Sequence, residues 1–142
     1  MSATTIAPAA TARRTGRTTG RVANVATWIV QVVVGVQFVF GGGLKLAGSP
    51  VMVDLFTDIG AGQWLRYVVG ALEVAGGIGL LIRPLCGLAA AGLVGVMAGA
   101  VVTNVAIINE NPTVPVVYLV LLAVIAWRRR DRTAAVVARV RR

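Results

Sequence analysis

A chain of 142 residues suffices for one domain, and 57% of this one is hydrophobic while only 13% is charged. A soluble domain carries about 25% charged residues, so with a mean hydropathy of +0.82 the solvent that fits is a bilayer. No His is present and Cys86 is the single Cys, which excludes an internal disulfide, a CxxC redox or zinc motif, and a histidine metal centre or proton shuttle.

The first 21 residues are rich in Ala, Thr and Arg and contain no acid, which reads as a disordered basic cytoplasmic tail. The apolar run behind them is too long for the core of a signal peptide. It gives a first span over about residues 22–44, close to 33 Å at 1.5 Å per residue. Residues 48–62 follow, where Val51, Met52, Leu55, Phe56 and Ile59 recur at helical spacing beside Asp54 and Asp58. That pattern predicts a short amphipathic helix at the interface, with an ordinary extracytoplasmic loop as the alternative. Further spans are expected over about 63–82, 85–108 and 114–127. The last is short, starts behind Pro112 and Pro115, and is expected to run on into a basic cytoplasmic tail, 128–142. The predicted fold is all-α: a polytopic membrane protein built as an antiparallel four-transmembrane-helix bundle.

Orientation follows from the Lys and Arg residues. Four (Arg13, Arg14, Arg17, Arg21) precede the first span, Arg83 sits between the second and third, and seven follow the fourth. The opposite side holds only Lys45 and Arg66, against Asp54, Asp58 and Glu110. The expected topology is multi-pass, N-in and C-in, in a bacterial cytoplasmic membrane, bacterial because of the Ala/Arg/Val/Gly bias. The net charge of +9 is thereby assigned to topology and to membrane lipids as partners, not to nucleic acid, for which no reading motif is present.

Helices in lipid associate where small residues let backbones approach. Gly87, Ala91, Gly95, Gly99 and Thr103 recur every four residues along the third span, a stripe expected to pack closely, inside one bundle or between protomers. Gly35 and Gly42 share a face of the first span with Gln31, Phe38 and Lys45, and the second span contributes Gly70, Gly76, Gly77 and Gly79.

An ionisable residue at membrane depth carries a functional hypothesis by default. Glu73 lies near the middle of the second span, and Gln37 or Asn104 (through a water) is its expected partner. Arg66 is seven residues earlier, about 10 Å in rise, and is expected to snorkel outward. Lys45, Arg66, Thr103, Asn104 and Asn109 gather with Glu73 toward one end, so two readings stay open: a polar ligand pocket, or polar glue between helices. Cys86 reads as a small buried residue, and Trp28, Trp64 and Trp127 as interfacial anchors. No P-loop, GxGxxG, metal cluster or nucleophile triad marks a catalytic residue.

Three segments together resemble the DoxX and DoxX-like family of small four-span membrane proteins. They are Phe38-Val-Phe-Gly-Gly-Gly-Leu-Lys-Leu-Ala-Gly48, Gly70-Ala-Leu-Glu-Val-Ala-Gly-Gly-Ile-Gly-Leu-Leu81, and Ala91 to Asn104. The resemblance covers roughly residues 22–127 and implies a four-helix bundle associated with quinone-linked oxidoreductase complexes, most members having no assigned activity. It makes Lys45 and Glu73 the family's polar pair. Where many relatives place a His late in the third span, this chain has Asn104, which neither relays a proton nor ligates haem iron.

The expected function is a non-catalytic subunit or scaffold of a membrane redox complex, with a lipid or quinone pocket formed by Glu73, Lys45, Gln37, Arg66 and Asn104. Its partners are redox-complex subunits or further copies of the chain. The alternatives are a quinone-dependent oxidoreductase component using Glu73 and Lys45, and a small transporter subunit.

Overall fold

The computed structural model describes the backbone of residues 12–142 and the side chains of residues 19–142. Residues 1–11, half of the expected basic tail, lie outside the described residues, as do the side chains of Arg13, Arg14 and Arg17. The chain divides after Val30 into two compact units.

The described part of the first unit is one helical run within α1 (Ala12–Ala47), which begins ten residues before the expected start of the first span. Thr27 Oγ1 donates to the Ala23 carbonyl at 2.8 Å, a bond internal to the helix. Val22, Val25 and Ile29 are exposed.

The second unit contains the remainder of α1, then α2 (Pro50–Ile59), α3 (Gln63–Leu81), α4 (Cys86–Ala106), α5 (Thr113–Arg128) and α6 (Arg130–Val140), with no strand among the described residues. Its core is Val34 and Phe38 from α1, Leu80 from α3, Ala90, Leu93 and Met97 from α4, and Leu122 and Ile125 from α5. The outward faces are apolar as well: Val33, Val36, Leu72, Ile78, Val102, Val117 and Val120 are all exposed. Apolar residues inside and outside alike are what a bilayer requires of a helical protein. α1, α3 and α4 are each long and apolar enough to cross a membrane, and α5 is apolar but only 16 residues long. The protein is an integral membrane protein, a helical bundle.

The α1–α3 contact is built on glycine. Gly35 faces Gly77 and Gly42 faces Gly70, so one antiparallel register repeats after seven residues on both helices. A Cβ on Gly42 would lie 2.7 Å from the Gly70 carbonyl oxygen, and one on Gly77 would lie 2.7 Å from that of Gly35. The α3–α4 contact uses Gly76 against Leu93 and Gly79 against Ala89.

The short connections explain themselves locally. Gly48 at φ 72° takes the left-handed conformation that ends α1. Pro50 sits at the start of α2, where its missing N–H costs nothing, and Gly60 closes that helix at φ 75°. The predicted amphipathic segment is therefore helical; its Phe56 is buried, and Gln63 Nε2 ties it to α3 through the Val53 carbonyl at 3.0 Å. Asn111 Oδ1 accepts the Thr113 amide at 2.9 Å and opens α5. The fourth span continues only one residue past Trp127: α5 stops at Arg128, Arg129 leaves helical geometry at ψ 8°, and α6 starts afresh.

Candidate functional site

Glu73 comes from the middle of α3 and Lys45 from the last turn of α1. Their side chains meet in an ion pair, Lys45 Nζ to Glu73 Oε2 at 2.8 Å, with side-chain exposures of 14% and 7%. The meeting follows from helix geometry. Cβ atoms tilt toward the N-terminus of their own helix, and α1 and α3 are antiparallel, so Lys45 leans inward along the bundle while Glu73 leans outward to meet it. Pairing also settles the energetics, because a lone charge at this depth would be far more costly than a hydrogen-bonded pair. The expected partner of Glu73 was therefore wrong. Gln37 is exposed on the cavity wall, and Asn104 Nδ2 instead donates to the Asn111 carbonyl at 3.3 Å, bracing the α4–α5 connection.

Arg66 also departs from expectation. Rather than snorkelling outward it is 4% exposed. Its Nε donates to Gln63 Oε1 at 2.7 Å, its Nη1 to the Lys45 carbonyl, and its guanidinium lies 4.3 Å from the centre of the Tyr67 ring. The last carbonyls of a helix have no intrahelical donor, and a cation at that end also complements the helix dipole. Arg66 supplies both to the end of α1. It thus fixes the backbone from which Lys45 reaches Glu73, and it acts on the pair without touching it.

Beside the pair lies a cavity of about 840 Å³, lined by residues of all four long helices and by Leu55, Phe56 and Ile59 of α2. Lys45, Glu73, Gln37, Thr103 and Asn104 supply its polar groups, and Phe38, Phe56, Val96, Met97 and Tyr118 its apolar walls. Phe38 and Tyr118 stack edge to face with centroids 5.4 Å apart. Glu73 Oε2 accepts the hydrogen bond from Lys45 Nζ, whereas Oε1 has no partner among the described residues and is not fully buried. An ammonium with spare donors and a carboxylate with a spare acceptor can together hold a hydroxyl or carbonyl head group while the walls take an apolar body.

The four-residue stripe on α4 is not a packing face within this chain. Only Gly87 is packed, against Arg129 and Thr133. Ala91 is exposed, a Cβ at Gly95 or Gly99 would meet nothing within 4 Å, and Gly95, Gly99 and Thr103 line the cavity. Their small size keeps the cavity open. The close helix contact is instead the seven-residue glycine register of α1 and α3.

A second polar assembly was missed. Gln31, fully buried, donates from Nε2 to the Leu80 carbonyl at 2.5 Å and accepts from Arg129 Nε at 3.2 Å. Burial, reinforced by the neighbouring Arg132, lowers the Arg129 pKa, although an arginine remains charged at any pH at which proteins fold. The one available signal was that Gln31 shares a helical face with Gly35, Phe38 and Gly42. Arg129 itself carried no signal, being one of seven arginines in a run assigned to the tail. Among the described residues no group of His, Cys, Asp or Glu is placed to hold a metal ion.

No curated protein and no solved structure matches the chain. A family model, that of the DoxX-like family, matches residues 29–127, the segment that contains the glycine register, Lys45, Glu73 and the cavity, and on that match the chain belongs to the DoxX-like family.

Proposed function

We propose that the protein is a non-catalytic membrane subunit or scaffold whose cavity holds a lipid or a quinone by its polar head at Lys45 and Glu73. The observation that carries this reading is the junction of one ion pair with one large, mostly apolar cavity of about 840 Å³, a volume within the range of small-molecule sites, roughly 300–1,000 Å³. The arginine distribution supports N-in and C-in placement in a bacterial cytoplasmic membrane. Its partners are redox-complex subunits or further copies of the chain.

Native mass spectrometry of the protein extracted in mild detergent tests the reading. Glu73→Gln removes the carboxylate that pairs with Lys45, and Gly99→Leu fills the cavity from a position with open space around it. A bound lipid or quinone mass present in the wild type and lost from both variants is the expected result. A wild-type protein that carries neither a bound mass nor a partner chain would overturn it, as would a mass retained by Gly99→Leu.

A further inference from the structure

We infer that a second site, a groove between α4 and α6, holds one anionic phospholipid at the arginine-rich end of the bundle, its headgroup between Arg130 and Arg141 and an acyl chain against small residues of α4 and α5. The groove has a volume of about 580 Å³. Its floor is Gly87 and Ala91 of α4 and Ala126 of α5; its other wall is the face of α6 that carries Thr133, Ala134, Val137 and Ala138, with Arg130 at one end and Arg141 at the other.

Three observations support a lipid of this charge. First, α6 is docked rather than loose. Gly87 lets it approach so closely that a Cβ there would lie 2.9 Å from the Arg129 carbonyl oxygen, and Arg132 Nη1 donates to the Arg83 carbonyl at 3.1 Å. The groove is thus a fixed feature between two anchored helices. Second, its charge is one-sided: Arg130 and Arg141 line it and no acid does. Third, its depth matches a headgroup. Exposed Trp127 ends the apolar part of α5, where indoles mark the membrane interface, and the Arg130 guanidinium lies 5.5 Å from the centre of its ring. Arginines at that level face phosphates, while Ala91, more than a turn into α4, lies deeper, beside acyl chain. The site shares no lining residue with the cavity at Glu73, so either can fail without the other.

Trp127 supplies the test. A Trp28→Phe/Trp64→Phe background leaves it as the sole indole. The protein is reconstituted in phosphatidylcholine vesicles containing either phosphatidylglycerol or phosphatidylcholine brominated near the headgroup end of its chains. Phosphatidylglycerol is expected to be preferred at Trp127. Arg141→Gln is expected to cut that preference by roughly fivefold, the equivalent of about 1 kcal/mol per basic residue near the surface. Arg139→Gln, half a helical turn away in angle on the opposite face of α6, is expected to leave it unchanged. Quenching by brominated phosphatidylcholine reports that each variant has inserted. Equal losses in the two variants would mean diffuse attraction to a basic tail and would overturn the site. So would an absent preference, or a change of oligomeric state in Arg141→Gln, which would assign the groove to a second copy.

Discussion

The glycine register between α1 and α3 predicts that Gly42→Ala destabilises the protein while Gly99→Ala does not. Alanine is the better helix former, so in open space the exchange gains roughly 0.5–1 kcal/mol. Gly99 is such a place, with nothing within 4 Å of a Cβ. At Gly42 the added carbon would lie 2.7 Å from the Gly70 carbonyl oxygen and 2.9 Å from the Val74 amide nitrogen. Both obstacles are backbone atoms, which cannot turn aside as a rotamer can, so the helices must move apart by about half an ångström. Overpacking typically costs about 1–3 kcal/mol, and a backbone obstacle puts this case at the upper end. Net of the propensity gain, Gly42→Ala should lose about 2 kcal/mol. Cys86 provides the assay: it is fully buried and the only thiol, so a thiol-reactive fluorogenic dye reports unfolding in detergent without any added label. An unchanged transition for Gly42→Ala, or a lowered one for Gly99→Ala, would refute the assignment of the packing face.

Three further outcomes follow from the polar contacts. Lys45→Met and Glu73→Gln should each cost roughly 3 kcal/mol, because each leaves a charge at depth without its counter-ion; the double variant should cost at least about 1 kcal/mol less than their sum, and strict additivity in the same dye assay would show that the ion pair is uncoupled. Arg66→Met removes charge-assisted donors from the Lys45 carbonyl and from Gln63, at about 1.5–3 kcal/mol per bond; its early sign should be faster hydrogen exchange at the end of α1. Gln31→Leu strips the Leu80 carbonyl of its side-chain donor and should lower stability by about 1–3 kcal/mol, measured by the temperature at which Cys86 becomes reactive.

The helices were readable because the bilayer imposes length and apolarity on each segment separately, and α2 announced itself through Met52, Phe56 and Ile59. What could not be read is how the segments face one another. The α4 stripe repeats every four residues and has the regularity of a close contact, yet Gly95 and Gly99 front the cavity. The glycine contact within the chain repeats every seven residues on two helices at once, and a single helix does not show which glycines will find partners. Lys45 and Glu73 were each visible, and family resemblance named them as a pair. Reasoning from the residues alone paired Glu73 with Gln37 or Asn104 because the rule of side-chain tilt was not applied to Lys45. Applied to both antiparallel helices, the same rule brings Lys45 inward. Arg66 was misread for a related reason: snorkelling assumes water is the nearest polar partner, whereas the free carbonyls ending α1 are nearer.

The same glycines that close the α1–α3 contact also make the ion pair geometrically available. A Cβ on Gly70 would lie 3.0 Å from the Cβ of Lys45, so only glycine at that position lets the lysine stem pass along α3 toward Glu73, one turn further on. Gly70→Ala therefore tests packing and site together. It must push away the Gly42 carbonyl, 3.0 Å from the new carbon, and the root of Lys45 with it. If the pair is part of the ligand site, Gly70→Ala should lose the bound mass under conditions in which Cys86 is still protected and the protein is folded. Retention of the ligand in a folded Gly70→Ala protein would separate the two roles, leaving the glycines to packing alone and the cavity to bind without Lys45.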